Sequence, residues 1–142
     1  MSALFTIRDA RPDDMDAINA YAANEGMDEL PSWHEIRVAV DADDTVVGFL
    51  RLQRGEDGVA HVNPMVTYPT WRGHDVGRAL LADAQERAGE LRLVARGWSA
   101  DFYYAVGFAD AEWEDIDEAV ARQCDGCPMF DECGPLPMRR TE

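Results

Sequence analysis

Residues 66 to 80, Val66-Thr67-Tyr68-Pro69-Thr70-Trp71-Arg72-Gly73-His74-Asp75-Val76-Gly77-Arg78-Ala79-Leu80, constrain this chain more than any other stretch. A β-branched pair leads into a proline turn. A short loop with glycines at 73 and 77 follows, and then an apolar pattern of helical period. That is a strand running into a helix N-terminus. The first turn of such a helix leaves backbone N–H groups without intrahelical partners, and the helix dipole adds partial positive charge beside them. Gly73 and Gly77 lack a Cβ, so an anion can approach the backbone closely. The spacing predicts a phosphate cradle; a plain turn with a close helix contact has the same pattern.

Two motifs carry a family resemblance. Arg72-Gly73-His74-Asp75-Val76-Gly77 resembles the acetyl-CoA loop of the GNAT N-acetyltransferase superfamily: Gln or Arg, two residues, Gly, one residue, then Gly or Ala. Pro69 fits the same pattern. Phe102-Tyr103-Tyr104-Ala105-Val106-Gly107-Phe108 resembles the family's Tyr-x-x-x-Gly-Phe signature, at about the family's separation from the first block. One departure matters: Asp75 stands where the family usually has the first Gly of its Gly-x-Gly. The resemblance spans residues 3 to about 114. It implies an α/β GNAT fold, a mixed, mostly antiparallel twisted sheet flanked by helices. Residues 1–114 would form the acetyltransferase domain, and 115–142 a C-terminal extension with a Cys-rich loop packed on it.

Charge bears on partners. The 142 residues hold 28 acidic and 13 basic side chains, a net charge of −15, and every basic residue is Arg. Such a balance disfavours nucleic acid and anionic membrane surfaces and attracts cationic amines. It also resembles the composition of extreme halophile proteins, where acidic surfaces serve solubility. No apolar run is long enough to span a membrane, and the N-terminus lacks a basic-then-apolar leader, which leads us to expect a cytoplasmic protein.

Along the chain, Leu4–Arg8 reads as a strand. Arg11-Pro12-Asp13-Asp14 opens a helix with Pro in its first turn, with Met15, Ile18 and Ala22 as its buried stripe and Gly26 as its stop. Residues 27–35 read as a loop or a short helix; in the family this region lines the acceptor site. Ile36–Val40 and Val46–Leu52 read as paired strands around an Asp41–Thr45 turn. After a Gly55–Gly58 turn, Val59–Thr67 reads as a strand in which Pro64 marks a bulge or unpaired edge. The family's fourth and fifth strands splay there and hold the acyl-pantetheine arm. Val76, Leu80, Leu81, Ala84 and Ala88 give the main helix its apolar face, and Gly89 ends it. Leu91–Ala95 is the next strand. Ser99 or Asp101 caps a short helix containing Tyr103, closed by Gly107. Phe108–Glu114 reads as a strand and Asp115–Gln123 as a helix.

The tail carries Cys124-x2-Cys127-x5-Cys133. The first pair has zinc-knuckle spacing, with His61, His74 or Asp125 as a possible fourth ligand; the other reading is a Gly/Pro loop with free thiols or a loop disulfide. Acetyl transfer sets three chemical needs. A backbone N–H near Met65, Val66 or Thr67 serves the thioester oxygen. Tyr103 occupies the position where the family often carries a Tyr general acid for the thiolate, and Tyr104 takes its place if the register slips. For the amine's proton the candidates are His61, Glu35 and Asp101, His61 reading otherwise as a strand surface residue. Arg72, Gly73, His74, Asp75, Val76, Gly77 and Arg78 would line the pyrophosphate and adenosine end. The resemblance thus implies acetyl-CoA and an amine acceptor as partners, in a monomer or homodimer. The rival readings are a non-catalytic acyl-CoA sensor or partner-binding domain and a role centred on the Cys tail.

Overall fold

Seven strands lie side by side in the order β1-β2-β3-β4-β5-β7-β6. The structure, a computed structural model, describes residues 4–124 and 130–141. The strands are β1 Thr6–Asp9, β2 Ile36–Val40, β3 Val46–Arg54, β4 Ala60–Thr67, β5 Leu91–Ala95, β6 Ala109–Asp110 and β7 Leu136–Arg140. The helices are α1 Met15–Asn24, α2 Val76–Ala88, α3 Ala100–Ala105, α4 Glu118–Ala121 and α5 Phe130–Cys133. β4 and β5 run parallel, while β1–β2, β2–β3, β5–β7 and β6–β7 are antiparallel. This is the expected mixed sheet flanked by helices. The chain divides into two compact units: Met1–Leu52 with Pro64–Ala84, and Gln53–Asn63 with Gln85–Glu142.

In the first unit, alternation along β2 and β3 assigns each face its helix. Val38 and Phe49 are register partners, and both are buried with Ile18 and Ala22 of α1. The other face receives α2. Arg37 donates to both carboxylate oxygens of Asp83 on that helix, at 2.9 and 3.0 Å, and Gly48 meets its first turn. A Cβ at Gly48 would come within 2.9 Å of Val76 Cγ1 and 3.1 Å of the Val66 carbonyl. The helix therefore sits down on the sheet only because residue 48 has no side chain. Sequence reasoning did not single out Gly48; the contact that requires it comes from a residue far along the chain.

Helix α1 begins as expected. Pro12–Asp14 forms a 3-10 turn ahead of it, and the Asp14 carboxylate accepts from the Arg11 N–H and from two Arg8 nitrogens. The Arg8 bonds hold the Asp14 carboxyl below the ordinary carboxylate range. Residues 27–35 form a loop rather than a helix, pinned where the Leu30 N–H donates to Asn19 Oδ1. β4 runs through Pro64 without inside–outside alternation: Ala60–Val62 are all buried and Asn63–Met65 all half-buried. Its ladder with β5 comprises Ala60↔Leu91 and His61↔Arg92.

The second unit departs from the sequence reading in three places. The expected strand over Phe108–Glu114 shortens to Ala109–Asp110, because the Asp115 carboxylate accepts the Glu112 N–H and curls Trp113–Asp115 into a 3-10 turn. The Asp115–Gln123 helix is reduced to α4, capped where the Asp117 carboxylate accepts from the Ala119 N–H, with a 3-10 turn over Arg122–Cys124. Strand β7 has no counterpart in the sequence reading, and it holds Pro137 between two other strands, where a proline is unusual. The geometry explains the exception. The N–H and C=O of one strand residue point to the same side. The Pro137 carbonyl accepts from the Ala111 N–H at 3.0 Å, so the missing donor also faces that side, past the end of β6. The β5–β7 ladder loses nothing.

His61 is the largest correction to a single residue. It is fully buried, not on a strand surface. Its Nε2 accepts from the Asp117 N–H at 3.0 Å, and its Nδ1 lies 3.0 Å from the Val59 carbonyl, which fixes the proton on Nδ1. Both ring nitrogens are engaged, leaving neither for the general-base or zinc-ligand role considered for it. His61→Leu keeps the bulk but leaves a buried N–H and C=O unpaired. It is expected to destabilise the fold by roughly 2–4 kcal/mol, read as a lower denaturant midpoint at unchanged slope. A change under ~0.5 kcal/mol would mean water replaces both bonds.

Candidate active site

The end of β4 and the start of α2 form the expected strand–loop–helix. The Tyr68 N–H donates to the Val47 carbonyl at 2.8 Å, holding the chain to β3 as it leaves the sheet. Pro69–Trp71 is a 3-10 turn. Trp71 packs edge-on against Phe5 and tilted against His74. Residues 72 to 75 are exposed, and Val76 is buried beneath α2. Val66 is buried, with Met65 and Thr67 half-buried beside it.

Two loop residues have left-handed backbone: Gly73 at φ +88° and Asp75 at φ +65°. A left-handed residue just before a helix suits Gly best, and Asn or Asp next. Asp75 therefore keeps the conformation that glycine would adopt while adding a charge. Its carboxylate is 80% exposed and lies 3.7 Å from Arg78 Nε. Its carbonyl accepts from the Ala79 N–H, so the α-helical ladder begins there. Arg72 reaches Glu25 at 3.2 Å. Gly77 is half-buried in the first turn of α2.

Tyr103 lies on α3. Its ring meets Phe102 and Phe108 edge-on, with centroids 5.2 and 5.5 Å away. The ring keeps some exposure, yet burial pushes its phenol up to about 12, against a weaker opposing pull from Arg96. The Tyr103 carbonyl accepts from the Phe108 N–H at 2.9 Å across the left-handed Gly107, which closes the helix. Tyr104 differs: it is exposed, and its hydroxyl donates to the Asp110 carboxylate. That bond raises its phenol.

Among the other candidates, Asp101 is exposed on α3, and Glu35 is exposed with left-handed backbone at φ +62°. His74 is exposed in the loop. Cys124 and Cys133 are half-buried; Cys127 and Asp125 lie outside the described residues. Among the described residues, no group of three or more His, Cys, Asp or Glu side chains is placed to hold a metal ion.

A mixed sheet whose fourth strand feeds a helix N-terminus through an exposed, glycine-bearing turn defines the α/β class of the chain. The particular family follows from the sequence match: residues 32–110, over half of the chain, match the model of the Acetyltransferase (GNAT) domain, and the chain belongs to that family. It is thereby an acyl-CoA-dependent acetyltransferase by class. Solved structures share the fold. N-acetylglutamate synthase from Neisseria gonorrhoeae, complexed with coenzyme A and N-acetyl-glutamate, aligns with a TM-score of 0.77 at 16% identity over 99% of this chain. The chain spans only 35% of that synthase's length. A Mycobacterium tuberculosis protein in complex with CoA aligns at 0.77 and 17% identity, over 96% of this chain and 99% of its own. Nourseothricin acetyltransferase aligns at 0.69 and 22% identity, over 97% of this chain and 98% of its own. No curated protein sequence matches the chain.

Proposed function

We propose that this enzyme transfers the acetyl group of acetyl-CoA to the amine of a small molecule or peptide. The observation that carries the reading is the helix α2 N-terminus, opened by an exposed loop with two left-handed residues, Gly73 and Asp75. In this reading Arg72, Gly73, His74, Asp75, Val76, Gly77 and Arg78 receive the pyrophosphate and adenosine end, and a backbone N–H within Met65–Thr67 polarises the thioester carbonyl. The amine nitrogen attacks the carbonyl carbon, the C–S bond breaks, and the thiolate takes the Tyr103 proton. The amine's surplus proton passes to solvent or a base, and Tyr103 is reprotonated from water. The charge of −15 supports a cationic acceptor. We read the acidic surface as that of a halophilic, cytoplasmic protein, monomeric or homodimeric, with neither nucleic acid nor membrane as partner. Among the described residues no helix is long and apolar enough to cross a membrane.

Acetyl-CoA is expected to raise the melting temperature saturably, and a panel of amines to include at least one that releases CoA thiol. Saturable binding with no thiol release on any primary or secondary amine would favour a non-catalytic acyl-CoA sensor.

Asp75 provides a sharper test. Its carboxylate repels the phosphate charge, and that repulsion is screened to about 3 Å reach at ~1 M salt. Asp75→Gly is expected to tighten CoA binding most at low salt, with the gain shrinking as salt rises. Stability should change by less than about 1 kcal/mol, because relief of the left-handed backbone offsets the freedom glycine adds to the unfolded chain. Calorimetry of both variants at two salt concentrations measures this. Weaker binding by Asp75→Gly would show the carboxylate organising the loop.

A further inference from the structure

Helix α3, which carries Tyr103, has only six residues, too few to hold itself. Its C-terminal end is instead held from below by the last strand. Arg140 of β7 donates from Nη1 to the Val106 carbonyl, the residue that closes α3, at 2.7 Å. Its Nε donates to Gln85 Oε1 of α2, and the Gln85 amide donates back to the Arg140 carbonyl at 3.2 Å. The side chain is thereby fixed at both ends. The guanidinium carbon lies 5.2 Å from the centroid of the Phe108 ring, and that ring is one of the two against which Tyr103 packs. A Cβ at Gly107 would lie 3.4 Å from Arg140 Cδ, so the turn between helix and ring rests directly on the arginine stem.

A cation beneath the carbonyl end of a short helix opposes the partial negative charge there. A planar guanidinium adds what an ammonium does not: a fixed fork that reaches Val106 and Gln85 at once while its face covers an aromatic ring. Burial pulls the Arg140 pKa down, but a guanidinium is not deprotonated in proteins, so the group carries its charge.

We propose that Arg140 is the positioning residue for Tyr103: through Val106 and Phe108 it sets where the phenol of α3 stands. This rests on the reading of Tyr103 as the general acid. Nothing in the sequence around Arg140 connects it to that motif; β7 was not legible there, and the residue lies far downstream of Gly107.

Arg140→Met keeps a stem over Phe108 and removes the fork. Turnover should fall at least 10-fold with the KM for acetyl-CoA within about twofold. Arg140→Lys, which restores charge without the fork, should recover only part of the loss. In a Tyr103→Phe background, Arg140→Met should cost less than about twofold more, since both changes act on one group. A second readout needs no turnover. In a fast alkaline jump ahead of unfolding, the late-ionising tyrosine, identified by its loss in Tyr103→Phe, should ionise at lower pH in Arg140→Met as its hydroxyl becomes hydrated. An unmoved ionisation, or a lower melting temperature with turnover per folded molecule unchanged, overturns the positioning role. A moved ionisation with full turnover in Tyr103→Phe supports the positioning geometry and removes instead the acid role assigned to Tyr103.

Discussion

Tyr103→Phe is expected to lower turnover by roughly 10²-fold or more while leaving acetyl-CoA affinity nearly unchanged. The substitution removes one oxygen. The ring that meets Phe102 and Phe108 edge-on remains, so the fold should lose little. What the proposed mechanism then lacks is the proton for the departing thiolate. The free phenol, pushed up to about 12 by burial, is a weaker acid than the ~10 of an exposed tyrosine or the ~8.5 of a thiol. In the proposed mechanism it does not give up its proton ahead of the reaction; it donates a hydrogen bond to sulfur as negative charge builds there, and the uphill transfer is completed only as water reprotonates the phenolate. The sign for pH follows. The working form is the protonated one, and it persists as long as the pH stays below the raised pKa. Turnover should therefore show no alkaline loss attributable to Tyr103 through pH ~10, although a solvent-exposed tyrosine would already be half ionised there. The same burial favours the neutral phenol in the fold. Its contribution to stability is complete below the unfolded pKa and fades as pH rises through about 12. Steady-state kinetics of wild type, Tyr103→Phe and Tyr104→Phe check the assignment. Unchanged turnover in Tyr103→Phe, or a loss confined to Tyr104→Phe, would take Tyr103 out of the mechanism.

What could be read from the sequence was what is local. The β2–β3 hairpin announces itself through alternation, and α1 and α2 through helical period with a proline or glycine near each end. So does the loop between β4 and α2. The shortened β6 and α4 turn on local carboxylate caps from Asp115 and Asp117; the other misses depend on residues distant in the chain. His61 reads as one more position in an alternating strand; it is buried because the Asp117 N–H finds it from 56 residues away. Gly48 reads as an ordinary strand glycine until Val76 arrives on it. β7 is hidden by Pro137, whose missing N–H costs nothing only because β6 ends two residues into its own strand. Asp75 lies between these cases. Its identity and its departure from the family pattern are legible, but its left-handed φ of +65° is not. That angle turns an apparent replacement of a glycine into retention of the glycine's conformation with a charge attached.

Gly77→Glu is expected to abolish the acetyl-CoA-induced rise in melting temperature. Gly77 stands in the first turn of α2, a helix of 13 residues whose leading N–H groups open onto the exposed loop. A glutamate there brings both bulk and a carboxylate to the ground a pyrophosphate would occupy, and the carboxylate can accept from the same donors. The protein without ligand should be at least as stable as wild type. Replacing a helical glycine by glutamate is worth about 0.5 kcal/mol in propensity. An acid near the positive end of the dipole adds about 0.3–1 kcal/mol at low salt. The two effects have opposite signs for folding and for binding, and this separates a blocked site from a damaged one. A variant that melts at or above the wild-type temperature, with no further rise at saturating acetyl-CoA and no thiol release on any amine, places the anion at the α2 N-terminus. A full ligand-induced shift in Gly77→Glu would mean that the cofactor is held elsewhere, and the roles given to Arg72 through Arg78 would fall with it. Salt gives the last discrimination. Screening at ~1 M should weaken the electrostatic part of the block, but the bulk of the side chain remains, so the shift should stay absent where that of Asp75→Gly converges on wild type.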